Sequence, residues 1–260
     1  MLKLGQYCKL FVPAMLLCAV AVWAAPASAE DGYGDITGQF VLQGELPKAK
    51  LLIAKGDAAV KDAKVCAADD LHAEDVVVDA ETKGVANVFI YLAKAKSVHP
   101  DLKESAEKEV VFDQKGCHFI PHAMFVRTDQ AVLVKSDDAI AHNTHTYPLR
   151  NQSTNFLIAA GDRTGIKVQH KMTEKLPTQI KCDIHPWMSA YWLILDHPYA
   201  AVSDEKGNFK IEKLPVGEHE FIIWQESIGY VERKFKVNVE TDKLTDLKVI
   251  DIPASKIKTK

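Results

Sequence analysis

No Cys-x-x-Cys-His stretch occurs in the 260 residues, which excludes covalently attached haem. There is no glycine-rich phosphate loop and no Ser-His-Asp arrangement, so nucleotide chemistry and triad hydrolysis are not indicated. Long runs of one charge sign are absent, and the formal net charge is only −3, which argues against nucleic acid as a partner. No long segment carries a helical period, so an α-helical fold is not expected. Past the first 25 residues no apolar run is long enough to span a bilayer as a helix. Cysteine is scarce: five in all, of which Cys8 and Cys18 sit in the N-terminal stretch.

That stretch reads as an export signal. Lys3 and Lys9 precede an apolar run from Leu10 to Ala25, and Ala27-Ser28-Ala29 has the small-x-small form of a cleavage site. Residues 1–29 are therefore expected to be removed, leaving a periplasmic protein without a membrane span. Cys66, Cys117 and Cys182 remain. An odd count in an exported chain suggests one disulfide plus one special thiol, and Cys66–Cys117 is the natural pair once Cys182 has another use.

The rest reads as strands. Gly34–Gly44 alternates apolar and polar residues, and Val85–Leu92 is rich in β-branched and aromatic types. Leu46–Ala80 is mixed and reads as loops with short strands. Further strand signals lie at 110–112, 123–127, 131–135, 165–170, 178–181 and 190–195. A last series occupies 200–203, 208–211, 218–225 and 230–239, separated by Gly and Pro turns. Short strands at regular spacing predict an all-β protein of sandwich type.

One stretch carries chemistry. Lys181-Cys182-Asp183-Ile184-His185-Pro186-Trp187-Met188 places a thiol, an imidazole and a thioether in the order C-x2-H-x2-M. With a second histidine from elsewhere, His142 in Ala141-His142-Asn143, the set is what a blue-copper electron-transfer site requires. A soft thiolate binds copper strongly, two imidazoles suit both oxidation states, and a distant Met tunes the potential. Zinc is disfavoured, since structural zinc sites rarely use Met. Pro186 stiffens the loop, Ile184 and Trp187 can exclude water, and the Asn143 amide can tie the two ligand segments together. His122, His145 and His118 are surplus; His122 and His145 are candidates for an additional copper ion or for support of the first.

These residues resemble the cupredoxins. Cys182-x-x-His185-Pro186-Trp187-Met188 is similar to the short ligand loop of amicyanin. Phe119-x-Pro121 followed by Asp138-x-x-x-His142-Asn143 resembles the cupredoxin order of a Pro-led strand, a second strand, then His-Asn. The resemblance spans residues 108–196 and implies a Greek-key β-sandwich and a type 1 copper ion held by His142, Cys182, His185 and Met188. Thr128-Asp129-Gln130 departs from it, since cupredoxins usually carry Gly in that turn. A second resemblance is to the carboxypeptidase regulatory-like, transthyretin-like sandwiches. It rests on Asp204-Glu205-Lys206-Gly207-Asn208-Phe209 and Leu214-Pro215-Val216-Gly217, with a first half at Gly34–Gly44 and Val85–Leu92. It implies a sandwich split into residues 34–95 and 197–252, with the copper domain inserted.

The functional expectation is a periplasmic one-electron carrier rather than a catalyst. Its partner would be a redox protein such as a periplasmic dehydrogenase or cytochrome, and the amicyanin-like loop suggests a role of the methylamine-utilisation type. The surplus histidines suggest a second reading, a copper chaperone or resistance protein. An enzymatic copper site is a third; multicopper oxidases need further His-x-His pairs, and one close pair, His142 with His145, is present.

Overall fold

The computed structural model describes residues 32–45 and 48–258; the expected signal segment, 1–29, lies outside the described residues. In chain order the elements are β1 (Tyr33–Gln43), β2 (Leu51–Ile53), α1 (Ala63–Cys66), β3 (Leu71–His72), β4 (Phe89–Leu92), β5 (Glu109–Lys115), β6 (His118–Ile120) and β7 (Ala123–Arg127). They continue with β8 (Ala131–Val134), β9 (His142–Tyr147), β10 (Asn155–Ile158), β11 (Ile166–Gln169), β12 (Thr178–Lys181) and β13 (Ser189–Leu195). The last are β14 (Ala200–Val202), β15 (Asn208–Pro215), β16 (Gly217–Gln225), β17 (Gly229–Val239) and β18 (Leu244–Pro253). The described residues are nearly all β, arranged as sandwiches. Among the described residues no helix is long and apolar enough to cross a membrane.

Two pairs of sheets account for the sandwiches. A five-stranded sheet, β10-β9-β12-β13-β7, faces a four-stranded sheet, β11-β8-β5-β6. Between them lie Phe112, Phe119, Val132, Ile158, Ile180, Trp192 and Ile194, all essentially inaccessible to solvent. Strand alternation explains which residues these are: along β8, Val132 and Val134 point inward while their neighbours do not. Phe119 ends up between the sheets, and the cis Ile120–Pro121 bond then carries the chain from the four-stranded sheet to the five-stranded one.

The second pair draws on both ends of the described chain. β1 lies between β15 and β18, and β4 lies between β14 and β16, with β17 outside. Ile36, Phe40 and Leu42 of β1 alternate inward to meet Ile90, Phe221, Ile223 and Ile252. β1 runs antiparallel to β15 from Tyr33 opposite Pro215 to Gln39 opposite Asn208, so residues 169 to 182 positions apart in sequence are direct neighbours. β18 was not foreseen. Leu244 and Val249 face outward along with Asp246, Lys248 and Asp251, and the left-handed Lys248 (φ 57°) interrupts the alternation ahead of the inward Ile250 and Ile252.

Two further differences from the sequence expectation have local causes. The strand expected over Val85–Leu92 forms only at Phe89–Leu92, because Asn87 takes a left-handed conformation (φ 61°) that breaks the extended run. Val88 N–H then donates to Ser203 Oγ instead of to a strand partner. Residues 48–80, expected with the terminal strands, divide between the two cores: Val78 pairs with Val85 and packs with the terminal strands, whereas the part from Ile53 to Leu71 does not. Ile53, Cys66, Ala67 and Leu71 join the core that holds Phe112 and Trp192. Cys66 and Cys117 are bonded to each other, with Cα atoms 5.2 Å apart, which holds this segment on that core.

A third apolar layer joins the two sandwiches. Phe89, Tyr91 and Trp224 from the terminal strands pack with Ala123, Tyr191, Leu193 and Leu195 of β7 and β13.

Candidate metal centre

β9 and the loop after β12 bring the candidate ligands together. β9 pairs with β12 so that Lys181 lies opposite His145, which sets His142 beside the residues that follow Lys181. β12 and β13 pair with Lys181 opposite Ser189, so residues 182–188 form a tight loop closing that hairpin. The loop folds on itself: Met188 N–H donates to the His185 carbonyl (3.0 Å), and Cys182 N–H donates to the Met188 carbonyl (3.3 Å).

Within this frame one ring nitrogen of His142, one of His185 and Cys182 Sγ all lie within 4.8 Å of one another. His142 Nδ1 is 2.9 Å from His185 Nδ1, and Cys182 Sγ is 3.7 Å from His185 Nδ1. All three side chains are buried, as is Met188 beside them.

The outer nitrogens are equally constrained. His142 Nε2 is 2.8 Å from Asp138 Oδ2, and His185 Nε2 is 2.9 Å from Asp62 Oδ2. A carboxylate accepts, so each imidazole donates its Nε2–H outward and turns an Nδ1 lone pair inward. Two lone pairs 2.9 Å apart, next to a thiol, repel unless a cation or a proton lies between them. This is the arrangement in which protein imidazoles usually hold a metal, the far N–H fixed by a carboxylate.

Proton positions follow the same logic. Burial opposes ionisation of Cys182, but the adjacent His142 and His185 rings outweigh it and lower its pKa to about 6. Burial likewise disfavours the His142 imidazolium, but Asp138 and the Cys182 sulfur outweigh it and raise the pKa to about 9. A thiolate beside a shared proton is thus the favoured state, and a soft metal ion is the natural replacement for that proton. The donor set fits copper.

Asn143 ties the two ligand segments together. Its Oδ1 accepts from Asp183 N–H (2.7 Å) and Ile184 N–H (3.2 Å) and lies 3.3 Å from Cys182 Sγ. Its Nδ2 donates to Asn155 Oδ1 and Asp183 Oδ2. Asp138 braces His142 from behind, accepting also from Gly116 N–H (2.6 Å) and Cys117 N–H (2.9 Å). Both of those residues have left-handed backbones, so the turn carrying the disulfide aims its N–H groups at Asp138.

The surplus histidines lie elsewhere. His145 is three residues from His142 on a strand and so faces the other side, where it contacts Asp183, Tyr147 and Asn155. His122 bonds Glu226 at Nε2, with Glu74 3.6 Å from its Nδ1; His118 bonds Glu74 at 3.1 Å. His122 borders a small cavity that also touches Trp187 and Met188, but its ring is held by carboxylates and stands outside the His142–Cys182–His185 cluster. Two contributors were missed from sequence. Asp138 lies in the recognised pattern without a stated role. Asp62 lies 123 residues from His185 with no local signal to mark it.

No protein-family model and no curated protein matches the chain. Among solved structures it is similar to a Cu-containing nitrite reductase (NirK) from Thermus scotoductus SA-01, at 14% identity over 39% of this chain and 25% of the reductase, with a TM-score of 0.30. It is also similar to a purple cupredoxin from Nitrosopumilus maritimus, at 13% identity over 34% of this chain and 99% of that one, TM-score 0.28. A third is amicyanin from Paracoccus versutus, at 12% identity over 40% of this chain and 96% of that one, TM-score 0.29. The match spans a quarter of the reductase. Each likeness covers 34–40% of this chain.

Proposed function

We propose that this protein is a type 1 copper protein that carries single electrons in the periplasm, with His142, Cys182, His185 and Met188 as the copper ligands. The observation that supports this most is the pairing of two carboxylate-fixed imidazoles, whose Nδ1 atoms converge beside a buried thiol of lowered pKa. A bound copper ion would supply a one-electron couple. The chain's own residues do the rest. β9 and β12 hold the donors in place, so little rearrangement accompanies a change of charge. Asn143 fixes the loop, and Ile184 and Trp187 pack over the same core and limit water. The remaining strands, β1, β4 and β14–β18, form a transthyretin-like scaffold in this reading. The electron would pass to or from a protein partner such as a periplasmic dehydrogenase or cytochrome.

Copper loading of the signal-free chain tests this directly. An intense visible sulfur-to-copper absorption, one copper per chain and a reversible one-electron couple are expected, with the band abolished in Cys182→Ser. A colourless copper complex would overturn the reading. More than one copper per chain would favour storage or delivery instead, although His118, His122 and His145 all contact carboxylates here.

A further inference from the structure

We propose that Ile53–Leu71 is a cap over the metal centre, and that Asp62, carried on it, is a positioning residue that holds His185 in place. The proposal rests on the preceding reading only in taking His185 as a ligand.

The cap is built onto the centre rather than onto the terminal strands. Ile53, Cys66, Ala67 and Leu71 share one core with Cys182 and Met188, and Val60, Ala63 and Val65 pack against it. Three pins hold it. The Cys66–Cys117 bond ties it to the turn whose N–H groups grip Asp138. Glu74, just beyond β3, contacts His118 and His122. Asp62 meets His185. The base of the loop is closed by Gly56 N–H to the Ala67 carbonyl and Lys55 N–H to Asp70.

Asp62 is used in an unusual way. It stands at the N-cap of α1, where an Asp side chain normally accepts from the helix's own N–H groups. Here the carboxylate makes no such bond. The residue takes a left-handed backbone (φ 55°, ψ 37°), its carbonyl starts the helix by accepting from Val65 and Cys66 N–H, and its side chain reaches the His185 ring instead. His185 has no exposed surface at all, while Asp62 stays partly exposed at the rim. Asp62 and the cap therefore do two things. They fix which nitrogen of His185 carries its proton, and they bar solvent and small reagents from the buried thiol on that side.

The test uses the full metal-free chain. Cys182 alkylation by iodoacetamide is followed by peptide mass, which separates it from Cys66 and Cys117. In Asp62→Ala, labelling should accelerate about tenfold or more, the factor that loss of one charge-assisted hydrogen bond predicts for a local opening. In Asp62→Asn, whose amide oxygen can still accept from Nε2–H, it should stay near the wild-type rate. Wild-type labelling in Asp62→Ala, with the disulfide intact and the melting temperature unchanged, would overturn the proposal. A second measurement needs no variant: the nitrogen shifts of the wild-type His185 ring should show a proton on Nε2, and an Nε2 without one would also overturn it. Neither readout involves copper, so a failed copper spectrum and a failed cap are separate results.

Discussion

At Asn143 a single amide holds the ligand loop by accepting from two consecutive N–H groups, those of Asp183 and Ile184. Removing it leaves two donors without their partner, each costing about 1–3 kcal/mol where buried. Asn143→Ala should therefore weaken copper retention by about 10–100-fold, the usual effect of losing a residue that orients metal ligands. Chelator competition measures this, and Asn143→Asp should not recover the loss, since it sets a carboxylate against Asp183, to which the amide donates, and beside the Cys182 sulfur. Asp138 has the same kind of role for His142, accepting from its Nε2–H and from two backbone N–H groups at once. Asp138→Ala should give a loss of similar size, about 10–100-fold, with the Cys182 charge-transfer band shifted rather than abolished. An unchanged dissociation constant in either variant would show that the loop holds its ligands without them.

Among the elements, the capping segment depends most on one covalent bond. It contains short strands and a four-residue helix, too little regular structure to persist alone. The cysteines are 51 residues apart, and closing a loop of that length removes unfolded-state entropy worth about 4 kcal/mol in the chain-entropy treatment. Replacing Cys66 and Cys117 by Ala should lower the stability of the sandwich that holds Phe112 and Trp192 by up to that amount, seen as a lower thermal midpoint of the metal-free chain. Iodoacetamide should also reach Cys182 faster in this variant. Equal midpoints would mean that the apolar contacts of Ile53, Ala67 and Leu71 hold the segment without the bond.

Over the whole molecule, the terminal strands and the inserted sandwich meet at an apolar layer and at a buried ionic cluster. His122, from the turn between β6 and β7, contacts Glu226 from the β16–β17 turn, with Glu74 nearby. Burial disfavours the His122 cation, but Glu226 and Glu74 outweigh it and raise its pKa to about 9. Burial would raise Glu74, but His118 and His122 outweigh it and lower its pKa to about 2. A raised histidine stabilises fully below its unfolded value near 6.5 and loses that contribution as pH rises through about 9. A lowered carboxylate stabilises above its unfolded value near 4.5 and loses it as pH falls through about 2. Asp75, Tyr191 and His118 also face the cluster, and burial pushes Tyr191 well up, so it stays neutral through this range. The His122→Gln variant should lose the fall in stability between pH 6.5 and 9 that separates it from wild type, measured by urea unfolding. In the neighbouring layer Leu193 is fully buried, and Leu193→Ala should cost about 2–5 kcal/mol. A single wild-type melting transition that splits into two in this variant would show that the layer couples the sandwiches.

The residue string by itself determined the all-β class and most strand positions, because period-two alternation and Gly or Pro turns are local properties. It also marked Cys182, His185 and Met188 together, since one loop supplies all three, and named His142 and Asn143. It could have set His145 aside, because an odd spacing on a strand puts the two rings on opposite faces. Only the tertiary structure decided the rest. β18 lacks a clean period of two, because Lys248 and Val249 both face outward and break the alternation ahead of Ile250 and Ile252. Asp62 carries no signal at all in sequence; its importance comes from a disulfide and an apolar core that bring residues 123 positions apart to within 2.9 Å. Contacts between distant residues arise from how strands pair and cores close, and no local pattern of side chains encodes them.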